Sequence, residues 1–297
     1  MTNKKGHLGR LALVTTTLIW GTSFVILKNT LDSITPAWVM AYRFMGAAVV
    51  LLLAAIPRLK MLDKSYLKGG FLMGLCLAAG YLVQTYGLDN TTPGKNAFLT
   101  ATYCILVPFL NWILMKRKPD GFNIFAACLC MVGVGFVCLS GTTGLTDINI
   151  GDILTLCCGL FYGLHIIATD KFVDGRDAIL LSFVQFAVAA AICLALAVIF
   201  EPMPQHMPAE AWYSIAYLSL MCTGACFLLQ TWGQKYTPPS TAAIILMLES
   251  VFGAIISVIA GQEILTVGIV LGFMLIFIAI LISETKLEFI FKRKRNI

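Results

Sequence analysis

The sequence predicts an all-α integral membrane protein with ten transmembrane helices in two inverted five-helix repeats around a central cavity. Three observations carry that prediction. Apolar runs of about 20 residues, long enough to cross a bilayer's hydrocarbon core as helices, recur along the chain. The chain is 59% hydrophobic and only 12% charged, with mean hydropathy +0.88, whereas soluble domains carry about 25% charged residues. Basic residues gather in alternate connections, and one stretch of thirteen residues occurs twice.

Ten spans follow from the apolar pattern: 8–27, 36–56, 69–88, 96–115, 122–139, 151–169, 178–200, 212–233, 239–259 and 266–283. The first follows Lys4, Lys5 and Arg10 and superficially resembles a signal peptide. Its length and the absence of a small-residue cleavage site mark it as an uncleaved span. With the N-terminus inside, eighteen of the 21 Lys and Arg residues fall in inner segments. Lys28 and Lys95 face outward, and Arg43 lies within a span. The positive-inside rule then places both termini on the cytoplasmic side of the plasma (inner) membrane. The net charge of +6 therefore reflects topology and calls for no nucleic-acid partner. The basic tail at 286–297 reads as an anchor beside anionic lipid.

The duplication fixes the arrangement. Residues 81–93 read YLVQTYGLDNTTP and residues 227–239 read FLLQTWGQKYTPP, with Leu82/Leu228, Gln84/Gln230, Thr85/Thr231, Gly87/Gly233, Thr91/Thr237 and Pro93/Pro239 identical. Further upstream a shift of 142 aligns Gly9 with Gly151, Trp20-Gly21 with Tyr162-Gly163 and Arg43-Phe44 with Gln185-Phe186. The shift grows to 146 after the outer segment 201–208, which reads as a loop insertion. The repeats are thus residues 1–140 and 150–285. Five spans is an odd number, so the second copy enters the bilayer from the opposite side.

Ionisable groups inside spans are informative, because each costs roughly 2.5–3.5 kcal/mol at a helix centre. Arg43 lies roughly 10 Å below the outer surface and Glu249 roughly 15 Å deep, at about 1.5 Å per residue. His165 falls in the inner half of span six. For Arg43 the alternatives are a structural ion pair or outward snorkelling; Glu249 is too deep and too short to snorkel. Helical spacing groups other residues with these three: Trp20 with Ser23, Tyr162 with His165, Tyr81 with Gln84, Phe227 with Gln230, and Thr100 with Tyr103, the last pair matched by Leu246 and Glu249. A buried side-chain amide needs partners, so Gln84 and Gln230 should face protein or cavity. Trp38, Trp112 and Trp212 sit near span ends and read as interfacial belt residues. Gly46, Ala47 and Ala48, and Ala189, Ala190 and Ala191, read as close helix-packing surfaces.

Signatures of chemistry are missing. His7, His165 and His206 are not spaced with carboxylates or cysteines as a metal site requires, and no Gly-rich phosphate loop precedes a helix. Neither a metal nor a cofactor is expected. The ten cysteines lie in apolar runs as small hydrophobes; Cys222 and Cys226 are one turn apart but lack further ligands. Asp147, Asp152, Asp170, Asp174 and Asp177 read as solvated loop charges.

Leu18-Ile19-Trp20-Gly21-Thr22-Ser23-Phe24, Tyr42-Arg43-Phe44, Leu248-Glu249-Ser250-Val251-Phe252 and Gly261-Gln262-Glu263-Ile264-Leu265-Thr266 resemble the EamA-type branch of the drug/metabolite transporter superfamily. The chain departs from the pattern at Ser250, where the family often has Pro, and at 116–119, which lacks the Glu that Glu263 supplies in the second repeat. The resemblance implies a central cavity and secondary transport, often export, of small organic metabolites such as amino acids. Arg43 and Glu249 offer complementary charges to a zwitterion, inside a wall containing Trp20, Tyr81, Tyr103 and Tyr162. Ser23, Gln84, Thr100, His165 and Gln230 complete the expected site. Glu249 is the candidate for proton coupling because of its depth and the scarcity of other titratable groups. A membrane-embedded enzyme acting on a lipid or isoprenoid would need clustered His or Asp at a wet membrane face, and the sequence has none. A non-transporting sensor or assembly partner would need a soluble output domain, and the segments outside the spans are short.

Overall fold

The computed structural model describes residues 2–139, 149–261 and 266–285, and every regular element among them is helical. Glu263, Asp147 and the basic tail lie outside the described residues. The helices run longer than the apolar stretches because polar caps, not hydropathy, set their ends. Helix α1 (Thr2–Leu31) is followed by α2 (Pro36–Ala55), which has proline in its first turn where no N–H is needed. A short 3₁₀ segment (Ile56–Met61) leads to α3 (Lys64–Asp89). Asp63 starts α3 well before its apolar run by accepting from Ser65 N at 2.8 Å and Tyr66 N at 2.9 Å. Helix α7 (Ile150–Val173) opens with a reciprocal capping box between Asn149 and Asp152. Asp177 caps α8 (Ala178–Phe200) through Leu180 N.

The expected fourth, eighth and ninth spans are not uniform helices. The fourth is divided into α4 (Pro93–Thr100) and α5 (Tyr103–Met115). At the break the Thr102 hydroxyl bonds Leu99 O at 2.7 Å, a local alternative to the helical ladder. The ninth is divided into α11 (Pro239–Leu246) and α12 (Leu248–Ile259) by a turn at Met247, the position 146 residues beyond Ala101. The eighth runs as α9 (Ala209–Tyr217), a π-helical segment (Leu218–Ala225) and α10 (Cys226–Gln234). Helices α6 (Gly121–Leu139) and α13 (Val267–Thr285) complete the set. Among the described residues seven helical runs are long and apolar enough to cross a membrane, accompanied by the shorter apolar helices Tyr103–Met115, Gly121–Gly133 and Val270–Ile282. The protein is a multi-pass membrane protein.

Packing joins the two halves of the chain. Helix α3 packs on α7 and α8, α2 on α8, α1 on α10 and α12, and α6 on α13. Glycines mark where backbones meet: a Cβ on Gly87 would lie 2.9 Å from Gly151 O, and one on Gly233 would lie 2.8 Å from Gly9 O. Gly87/Gly233 and Gly9/Gly151 are the matched pairs of the duplicated sequence. Phe44 and Phe186, also matched, stack on each other at 6.1 Å with 24° between planes. Ala47, Ala48, Ala189 and Ala190 are buried where α2 meets α8, and a Cβ on Gly46 would strike Ser219 Oγ at 2.7 Å; Ala191 instead is exposed.

Several polar and aromatic expectations change. Trp112 and Trp212 are about half exposed, but Trp38 is buried and packs on Tyr42. Asp152 is not a solvated loop charge: it is 4% exposed, held in its capping box and bonded by Thr91 Oγ1 at 2.7 Å. Asp170 pairs with Arg117 at 2.7 Å and Asp177 with Arg58 at 3.2 Å; Asp174 stays exposed. Cys222 and Cys226 direct their sulfurs to Ile19 O and Thr16 O of α1, each at 3.9 Å. Glu201, the first residue of the segment that the sequence reads as a loop insertion, closes the N-terminus of α2. It accepts from Thr35 Oγ1 (2.6 Å), Ala37 N (3.1 Å), Trp38 N (3.2 Å) and Tyr86 Oη (2.5 Å), where α2 has no side-chain cap of its own.

Candidate functional site: a chamber between the two halves of the chain

Trp20, Ser23, Arg43, Tyr81, Gln84, Tyr103, Tyr162, His165, Gln230 and Glu249 all line one chamber, with Phe24, Leu27, Ile166, Phe227 and Leu246 supplying apolar wall. Thr100 is the exception: it stands behind the wall and accepts from Gln84 Nε2 at 2.9 Å. The i, i+3 pairs meet there because each sits on the inward face of its helix. The chamber's cavity volume is about 30 Å³. At roughly 10–15 Å³ per water, two or three waters fit. Anything larger requires the helices to part.

Aromatic rings make the walls. Tyr81 meets Tyr162 edge-on at 5.3 Å and Phe44 edge-on at 5.5 Å; Trp20 and Phe227 lie 4.9 Å apart, and His165 meets Phe227 at 5.6 Å. These contacts leave the polar groups in fixed places. Tyr162 Oη donates to Gln84 Oε1 at 2.7 Å, so both ends of the Gln84 amide are satisfied. Its sequence match Gln230 is treated differently. Gln230 Nε2 donates to Gln234 Oε1 at 3.1 Å, while Gln230 Oε1 is buried with no partner. The reason is legible in the wall: Leu246 replaces Thr100, and Trp20, in the place of Tyr162, sends its N–H to Cys222 O at 2.6 Å.

Two ionisable side chains face this space unpaired with each other. Arg43 is 1% exposed, so it neither snorkels nor forms an ion pair among the described residues. Its Nε donates to Thr223 Oγ1 at 2.6 Å, its Nη2 lies 3.4 Å from Tyr81 Oη, and the guanidinium sits 4.5 Å over the Tyr81 ring. Glu249 is 7% exposed and, among the described residues, accepts only a long bond, 3.4 Å, from Tyr103 Oη. His165 Nε2 donates to Gln185 Oε1 at 3.0 Å. Ser23 Oγ turns back to Trp20 O at 2.7 Å. Among the described residues no three His, Cys, Asp or Glu side chains converge as a metal site would need. Thr223, Phe24, Leu27 and Ile166 were missed from sequence as site residues; a threonine in an apolar helix carries no spacing signal by itself. Phe227 was visible as the match of Tyr81.

Comparison with known proteins agrees with a transporter. An uncharacterized transporter of Archaeoglobus fulgidus is 35% identical over 276 residues, covering 93% of this chain and 85% of that protein. The uncharacterized transporter YoaV of Bacillus subtilis is 25% identical over 295 residues, covering 96% and 98%. A protein of known crystal structure shares the fold with TM-score 0.77, covering 94% of this chain and 96% of that one at 16% identity. The sequence model of the EamA-like transporter family matches residues 7–139 and 149–285. The chain therefore belongs to the EamA-like transporter family.

Proposed function

We propose that the protein is a secondary transporter that exports a small zwitterionic metabolite, such as an amino acid or a related compound, across the plasma membrane. The observation that carries this reading is the pair of buried ionisable side chains, Arg43 and Glu249, that share one aromatic-walled chamber without pairing with each other. A buried charge is retained at a cost of several kcal/mol unless a partner satisfies it. A zwitterion supplies both partners at once, its carboxylate to Arg43 and its ammonium to Glu249 and the unpaired Gln230 Oε1.

Alternating access follows from the architecture in the same reading. The ten passes form two repeats, 1–140 and 150–285, inverted about an axis near the Phe44–Phe186 stack, with both termini cytoplasmic. The matched glycine contacts, Gly9 with Gly233 on the inner side and Gly87 with Gly151 on the outer side, support this arrangement. They are the points at which each face closes. Opening one while the other stays packed exposes the chamber to one side at a time. Glu249 is the coupling residue if a proton gradient drives the cycle.

The test is counterflow in proteoliposomes across a panel of amino acids, their amides and decarboxylated amines. Zwitterions should exchange, and the amides and amines should exchange poorly. Arg43→Ala and Glu249→Ala should each abolish exchange. Equal exchange of amines and zwitterions, or retained exchange in both variants, rejects the reading.

A further inference from the structure

Arg43 is not held by a carboxylate, so something else must fix its direction. The π-helical segment Leu218–Ala225 does this. Elsewhere among the described residues threonine hydroxyls that bond their own helix reach the carbonyl three or four residues back, as Thr17 does to Val14 O, Thr22 to Ile19 O, Thr16 to Ala12 O and Thr85 to Tyr81 O. Thr223 instead donates to Leu218 O, five residues back, at 2.9 Å, which the wider π turn brings within reach. With its proton committed there, Thr223 Oγ1 turns a lone pair to Arg43 Nε at 2.6 Å. In the same segment Cys222 O takes the Trp20 indole N–H at 2.6 Å. One irregular turn thereby sets two walls of the chamber.

The other half of the chain lacks the device. The position matching Thr223 is Leu77, in the uninterrupted helix α3, and the match of Arg43 is Gln185, which is occupied with His165. Nε and one Nη of Arg43 are used by Thr223 and Tyr81, and among the described residues no further acceptor pairs with the guanidinium. The rest of its fork borders the chamber.

We propose that Thr223 is the positioning residue of an anion subsite, aiming the Arg43 fork so that it takes the carboxylate of a ligand. The inference rests on the reading of the chamber as the substrate site. It goes further by assigning carboxylate selectivity to one hydroxyl on a π turn.

The experiment uses the full chain in lipid nanodiscs, labelled with [15N]arginine. The Arg43 Nε–Hε resonance is assigned by its loss in Arg43→Lys. Wild type and Thr223→Ser should show a slowly exchanging resonance that titrates with benzoate. In Thr223→Val, exchange should accelerate at least about tenfold and benzoate affinity should fall about tenfold, while affinity for 2-phenylethylamine stays within twofold. Thr223→Ala serves the same purpose if the valine variant does not fold. Exchange and benzoate affinity unchanged in Thr223→Val, or equal losses for benzoate and the amine, overturn the proposal, the latter because it marks a merely structural role. If the amine perturbs wild-type chamber resonances and benzoate does not, the anion subsite falls alone. If neither does, the chamber reading falls with it.

Discussion

Replacing Arg43 with methionine separates a binding cation from a structural one. Burying a cation without a counter-ion costs several kcal/mol. The bond to Thr223 returns about 1.5–3 kcal/mol as a hydrogen bond to a charged group, and the Tyr81 face at 4.5 Å returns about 2 kcal/mol. These contributions nearly cancel, and Thr223 keeps its own acceptor, Leu218 O, after the change. Arg43→Met should therefore be at least as thermally stable as wild type in detergent. Binding should change far more. Losing a charge-assisted contact to a carboxylate removes about 1.5–3 kcal/mol, or about 10- to 150-fold in Kd. Trp20 fluorescence titrated with L-phenylalanine and a thermal unfolding scan on the same samples check both statements. An unfolding temperature lower by more than about 5 °C with Kd within twofold refutes the reasoning and makes Arg43 a structural residue.

Other consequences are open to test. Glu201→Ala removes the side-chain acceptor at the start of α2 together with the Tyr86 bond; a half-buried cap of this kind is worth about 2 kcal/mol, read as a drop of several degrees in a thermal scan. Gly87→Val places a Cβ 2.4 Å from Thr155 Oγ1 and 2.9 Å from Gly151 O, and should cost about 1–3 kcal/mol. Gly135→Ala, with nothing within 4 Å, should cost nothing; equal effects of the two on the same scan would remove the packing argument. Glu249→Gln should leave counterflow measurable and abolish uptake driven by a pH gradient, and an unchanged gradient dependence discards proton coupling.

How far the sequence reached depended on whether a residue's role was set by its own helix or by a distant one. Trp20, Ser23, Tyr162 and His165 were grouped by i, i+3 spacing, a property of one helix, and the duplication paired their faces. Thr100 shares that spacing but sits one layer back, because the turn at Ala101 and Thr102 rotates it toward Gln84. Glu201, Asp152 and Trp38 looked like surface residues, since each stands at a helix end. Their places are set by partners on other segments, such as Thr91 for the buried Asp152 and α2 for the half-buried Glu201. The π segment was illegible: Leu218–Ala225 has the composition of any apolar helix, and its irregularity is stabilised by contacts from Trp20 and Arg43. Six identities in the repeated motif exposed the duplication of the sequence, while the departures from it, Leu77 against Thr223 and Leu246 against Thr100, set the chamber's polarity.

The most direct test of alternating access to the chamber is thiol labelling of Ser23→Cys on its wall, in a variant with the ten native cysteines replaced. A membrane-impermeant maleimide should reach that thiol from the inside and, in separate vesicles, from the outside, and a saturating zwitterionic substrate should slow both. Labelling from one face alone under all conditions, or labelling that substrate does not slow, contradicts the account.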